Sequence, residues 1–156
     1  MRVLIALAAV AVAAPAHAGF DPVKFFQGRT HGDGNLKIVF KRSVRMSVDS
    51  EGVQDRDGSL LLKQIVHEPG KPARTRYWRL RKVGNKAFEG TLTDAVGPVR
   101  VDVVGERVRI RYRAKDHLDF DQVLTQSGPR QVNNAMKVRR FGITVARFDE
   151  VIRKLD

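Results

Sequence analysis

The sequence predicts an all-β protein, an antiparallel up-and-down barrel of about 8–10 strands opened by a short N-terminal helical turn. Three observations predict it. Apolar residues recur at every second position in short runs, the period of a strand with one buried face. Turn residues punctuate the chain about every 8–12 residues. Nearly all links between runs are of hairpin length, so sequence neighbours become sheet neighbours, and such a meander removes its edges by closing. No helix-length pattern alternates with the runs, which argues against a parallel α/β sheet.

Met1 and Arg2 give a positive start, Val3 to Ala14 are unbroken apolar sequence, Pro15 follows, and Ala16-His17-Ala18 places small residues where signal peptidase reads. That pattern is a secretory signal, and the apolar run is too short for a membrane-spanning helix. Residues 1–18 are therefore expected to be a cleaved signal peptide, and residues 19–156 a single barrel domain. The chain has no cysteine, which excludes disulfides, thiolate metal sites, a cysteine nucleophile and a lipid anchor at the cleavage point. The product is expected in the periplasm or outside the cell.

Along residues 19–156, Asp21 and Pro22 suit the cap and first position of a helical turn through Phe26. Leu36, Ile38 and Phe40 alternate as a strand, and Val44, Met46 and Val48 repeat the pattern. Ser50-Glu51-Gly52 and Asp55-Arg56-Asp57-Gly58 read as turn material. Leu60 to His67 is a strand, Glu68 to Pro72 a loop, and Arg74 to Val83 a strand. Gly84-Asn85 is a hairpin turn into Lys86 to Thr93. Gly97-Pro98 turns the chain into Val99, Val101 and Val103, and Gly105-Glu106 makes the next hairpin. Arg107 to Arg113 alternates arginine with Val108, Ile110 and Tyr112, one face charged and the other apolar. Leu118, Phe120 and Leu124 continue the alternation. Val132 to Arg140 is ambiguous, while Ile143 to Leu155 fits a strand or a terminal helix, its β-branched residues favouring strand.

Several short motifs resemble an uncharacterised lipocalin-like family of bacterial envelope proteins. They are Phe26-x-Gly28 with Gly32-x-Gly34, then Arg76-Tyr77-Trp78, then Phe88 to Gly97, and finally Arg140 to Ala146. The resemblance spans most of residues 19–156. It departs at the absent cysteine and at Asp121 to Thr125, where a tryptophan-containing stretch is usual. It implies a calycin-type barrel and no particular activity.

Polar residues that share a parity with apolar ones are the candidates for a site. Arg42 has the parity of Leu36, Ile38, Phe40 and Val44; Gln64 that of Leu60, Leu62 and Val66; Arg76 that of Trp78 and Leu80. If these faces point inward, two arginines and a glutamine enter the barrel, and a buried charge there needs a carboxylate or an anionic ligand. Asp94 is a candidate structural partner. A bulge near Ser43 would instead put Arg42 outside. Trp78 and Phe88 would supply apolar wall for the ligand.

The formal charge of +12 favours anionic partners, and nucleic acid is not expected outside the cytoplasm. Arg107, Arg109, Arg111 and Arg113 form an exterior row suited to a polyanion or an anionic envelope surface. His117, Asp119 and Asp121 share one strand face, but alternation alone explains them, and no metal site is assigned. Gly32-x-Gly34 lacks the Gly-Lys-Ser/Thr of a phosphate loop, no serine lies in a Gly-x-Ser-x-Gly elbow, and no cofactor or catalytic residue is assigned. The leading expectation is non-enzymatic binding of a small amphipathic or anionic, lipid-like ligand in the barrel. Polyanion binding by the arginine row and a cavity-based enzyme are the alternatives.

Overall fold

The computed structural model describes residues 19–156; the expected signal peptide lies outside the described residues. One short helix, α1 (Pro22–Phe26), precedes ten strands: β1 (Gly28–Ile38), β2 (Val44–Gln54), β3 (Leu60–His67), β4 (Arg74–Gly84), β5 (Ala87–Leu92), β6 (Val99–Val104), β7 (Arg107–Ala114), β8 (Leu118–Gly128), β9 (Gln131–Arg140) and β10 (Ile143–Lys154). Each strand pairs antiparallel with the next. β1 then pairs with β10, from Thr30 opposite Lys154 to Ile38 opposite Ala146, and the sheet closes into a barrel. Both C-terminal segments are strands: Ile143–Lys154 as its β-branched content favoured, and Gln131–Arg140 through ladders to both β8 and β10.

Inward residues are even-numbered on every strand except β6, where Val99 and Val101 take that place. This is the period-2 alternation read in the sequence. The helix closes one end. Asp21 Oδ1 accepts from the backbone N–H of Val23 at 3.0 Å and of Lys24 at 3.2 Å, and Pro22 sits where no intrahelical donor is needed. Phe25 meets Phe20 and Phe26 edge-to-face at centroid separations of 5.6 and 5.0 Å, over a core of Leu60, Leu80, Phe88, Val101, Val108 and Leu124. Ser50 to Gly52 do not turn but continue β2: the carbonyl of Phe26 comes so close to the strand that a Cβ on Gly52 would lie 1.9 Å from it, so glycine there lets the helix seat.

β1 differs from its expected extent. It begins at Gly28, crosses the glycines and stops at Ile38. A Cβ on Gly32 would lie 2.0 Å from Glu150 Oε1, and one on Gly34 would lie 2.6 Å from the Phe148 ring. These glycines stay inside the strand because their missing side chains leave room for two inward residues of β10. At the other end Phe40 has φ of 63° and is fully exposed; it belongs to the hairpin tip.

A half-hollow barrel with a polar floor

At the end away from α1 the barrel is hollow. Hairpin tips surround the mouth of a cavity of about 720 Å³, within the usual range for a small-molecule site. On β1, β2, β4 and β8 the inward residues lose burial as they leave the helix end, whereas Val66, Val138, Ala146 and Phe148 on β3, β9 and β10 stay buried. On β8, Leu124 is buried while Gln122, Phe120 and Leu118 are half-exposed; on β2, Ser50 is buried while Val48 and Met46 are half-exposed. Leu36, Met46, Val66, Phe120, Met136 and Val138 give much of the wall its apolar character.

Polar groups gather in two places on that wall. On one side, Arg76 leaves β4 beneath the mouth. Asp94 Oδ2, from the turn after β5, lies 2.9 Å from its Nε as an ion pair, yet off the N–H direction, so the buried Nε proton has no aligned acceptor. Arg76 Nη2 donates to the Tyr112 hydroxyl at 3.1 Å, and the guanidinium stands 5.4 Å from the Trp78 ring centre, within cation–π range. Burial pushes the Tyr112 hydroxyl above its ordinary pKa, with Arg76 pulling the other way; it stays neutral and able to accept from Arg76. Trp78 Nε1 donates to Gln64 Oε1 at 2.6 Å, and Gln64 Nε2 donates to Ser50 Oγ at 3.3 Å. This chain links β4, β3 and β2 across the floor.

The second group is Glu150 on β10 and Asn134 on β9, opposite each other in register. Both are buried, and Asn134 Nδ2 donates to Glu150 Oε2 at 2.9 Å. Asn134 Oδ1 has no partner among the described residues. Burial raises the Glu150 carboxyl above its ordinary value; the hydrogen bond from Asn134 and the charge of Arg76 oppose this. The sequence reading did not pick out these two residues, although Glu150 has the parity of Phe148 and Ile152, and Asn134 that of Val132 and Val138.

Gln64, Arg76, Trp78 and Asp94 all line the cavity. Two candidates do not. Arg42 lies exposed in the β1–β2 connection, because the strand ends at Ile38 and the left-handed backbone at Phe40 breaks the parity carried over from Leu36. Phe88 does point inward, but near the helix end, where it is buried in the packed core.

Arg107, Arg109, Arg111 and Arg113 stand on the outer face of β7. Three are held by neighbouring aspartates: Arg109 by Asp121, Arg111 by Asp102 and Arg113 by Asp119, at 2.7 to 2.8 Å. The arginine hydrogen bonds keep Asp119 and Asp121 below the usual carboxylate range. This commits the two aspartates of the His117 trio, while His117 itself packs against Phe141 at 5.1 Å. A second outer network joins β1, β2 and β3: Asp49 meets His31 Nδ1 at 2.6 Å and His67 Nε2 at 3.0 Å.

Solved structures share this barrel. An S-type phycobiliprotein lyase, CPES, from Guillardia theta superposes with a TM-score of 0.68 at 7% identity, over 86% of this chain and 90% of that one. Rv2717c from M. tuberculosis gives 0.68 at 14% identity, over 87% and 99%. A DUF3598-family protein of unknown function from Nostoc punctiforme gives 0.67 at 11% identity; the match takes in 94% of this chain but only 53% of that protein. At these identities the likeness is one of fold, and the fold is that of lipocalin-like barrels. No curated protein sequence matches the chain. The sequence itself matches a family model over residues 3–154, and the chain thus belongs to the DUF3833 family of proteins of unknown function.

Proposed function

We propose that the protein is a non-enzymatic binder of a small amphipathic ligand with an acidic group, carried in the barrel cavity. The observation that supports this most is Arg76: a guanidinium inside a largely apolar cavity, with a buried Nε proton that its own carboxylate partner leaves unaligned. An acceptor on a ligand would satisfy that proton with a charge-assisted hydrogen bond. Trp78 and the aliphatic wall would cover the apolar body, while Gln64 and Asp94 hold the tryptophan and the arginine in place. The arginines of β7 support a polyanion site less well, since three of the four already have carboxylate partners. With the expected signal peptide, the work would be done in the periplasm or outside the cell.

Native mass spectrometry of protein purified from its own source, followed by extraction, would identify a bound molecule. The site assignment is tested with oleate as the probe, read by the fluorescence of the only tryptophan, Trp78. Replacing Arg76 by Ala should weaken oleate binding roughly tenfold to a hundredfold, the scale of one hydrogen bond to a charged group. Asp94→Asn should strengthen it by releasing the arginine. Equal affinity in wild type and Arg76→Ala would remove Arg76 from the site.

A further inference from the structure

The rim of the open end carries a second surface. Three hairpin tips project there side by side: β1–β2 with Val39 and Phe40, β9–β10 with Phe141, and β7–β8 with Asp116 and His117. Val39 N–H donates to the Val145 carbonyl at 3.0 Å, which sets the first tip against the start of β10, where Ile143 is exposed. His117 lies against the Phe141 ring, and the Arg140 guanidinium stands 5.5 Å from the centre of the same ring, joining the other two.

This lip combines two features that do not follow from the packing of the barrel. Phe40, Phe141 and Ile143 are among the most exposed large apolar side chains, at 103%, 72% and 70%. Phe40 and Phe141 also adopt positive φ, 63° and 49°, a region bulky residues rarely occupy. The hairpin turns set these positive φ values, yet glycine or asparagine would adopt them more easily than phenylalanine, and both rings remain largely exposed to solvent. The second feature is charge. Lys41, Arg42, Lys115 and Arg140 are exposed around these rings, and none of the four forms an ion pair among the described residues. The β7 face, by contrast, pairs its arginines with aspartates.

Protruding aromatic rings ringed by uncommitted cations match the boundary between lipid acyl chains and acidic headgroups: the rings enter the interface and the cations meet phosphate. We propose that this lip docks the open end of the barrel on an anionic lipid surface. The aromatic tips would sit at headgroup level and bring the cavity mouth beside them onto the membrane. This surface is independent of whatever occupies the cavity.

Flotation with vesicles tests the proposal. Wild type should float with vesicles of equal parts phosphatidylcholine and phosphatidylglycerol, and much less with phosphatidylcholine alone. Phe40→Ser with Phe141→Ser should lower the vesicle-bound partition about tenfold or more, as expected for two rings withdrawn from an apolar interface. Lys41→Gln, Arg42→Gln and Arg140→Gln together should lower it as well and flatten its salt dependence. Arg107→Gln with Arg111→Gln should leave it unchanged. All of these side chains are exposed, and an unchanged melting curve with unchanged Trp78 emission will show that the variants are folded. Oleate affinity should be the same in the phenylalanine variant, so failure of the docking surface and failure of the cavity site are read separately. Absence of flotation by wild type overturns the proposal, as does full flotation of the phenylalanine variant. So would a concentration-dependent dimer that Phe40→Ser abolishes while vesicles remain unbound, which would assign the lip to a second copy of the chain.

Discussion

The two halves of this barrel are built from the same strands and the same alternation, yet they are filled differently. At the helix end the inward positions are Leu60, Leu80, Phe88, Val101, Val108 and Leu124, with Phe20, Phe25 and Phe26 laid across them; nearly all their surface is removed from water. Towards the mouth the same rows continue as Met46, Gln64, Arg76, Phe120, Met136 and Ala114, and the space between them stays open. Among the described residues no aromatic plug covers this end, and each polar residue placed on the row demands a partner that an apolar side chain would not need. Stability is concentrated in one half, leaving the other free to hold something.

The largest expected effect follows from that contrast. Leu60→Ala deletes a side chain that is 1% exposed in the packed core, and should cost about 2–5 kcal/mol. Met46→Ala removes as many heavy atoms from the cavity wall, where the side chain is already half-exposed, and should cost less than about 1 kcal/mol. Urea unfolding of the two variants gives both numbers. Similar losses would mean that the mouth half is packed like the other and that the cavity closes in solution.

A smaller effect separates the polar floor from the core beneath it. Glu150 is buried with one hydrogen-bond donor, and burial raises its pKa above 4.5. The folded state therefore binds this proton more tightly than the unfolded chain. Stability falls as pH rises from about the ordinary value through the raised one. Glu150→Gln keeps the shape and an acceptor for Asn134 but cannot ionise. At neutral pH it should be more stable than wild type by roughly 1 kcal/mol, the scale of one incompletely satisfied buried charge, and the gain should vanish in acid below 4.5. Thermal melts across pH measure this. A variant less stable than wild type at neutral pH would show that the carboxylate is held charged by contacts stronger than its burial.

The barrel was legible in the sequence because alternation and hairpin turns are local signals that survive folding. The inward direction of Gln64 and Arg76 was legible for the same reason, each lying on an uninterrupted run with apolar neighbours of its own parity. Arg42 was not, because parity was carried across a turn: once Phe40 takes the left-handed conformation, counting by two no longer predicts a side. Phe88 shows a different limit. Period 2 tells inside from outside but not how far along the axis a residue sits, and that height decides between core and cavity. Glu150 and Asn134 were open to the same parity argument as Arg76 and were lost only because β9 and β10 lacked a clear strand signature. The arginine row was visible, but its neutralisation depends on hairpin register, which sets Arg113 opposite Asp119 and Arg111 opposite Asp121; Asp121 then reaches diagonally to Arg109.

The smallest expected effect compares the two faces of β1. His31 stands outside, where the hydrogen bond to Asp49 raises its pKa above 6.5, helped by the charge of Asp33 and opposed by partial burial. Asp49 is held low by the same contact. Gly32, the next residue, opens the inner face to Glu150. Both His31 and Glu150 thus have raised pKa values, with opposite causes. The imidazolium is raised because its charged form has gained a partner, so its contribution is present below 6.5 and lost as pH climbs through the raised value. The carboxyl is raised because its charged form has lost water. Asp49→Asn should bring the NMR titration midpoint of His31 back towards 6.5 while leaving oleate affinity and Trp78 emission unchanged, since the exchange is confined to the exposed face. A midpoint that stays high in the variant would assign the shift to Asp33, and a changed Trp78 emission would mean that the glycine-rich strand transmits outer charge to the cavity floor.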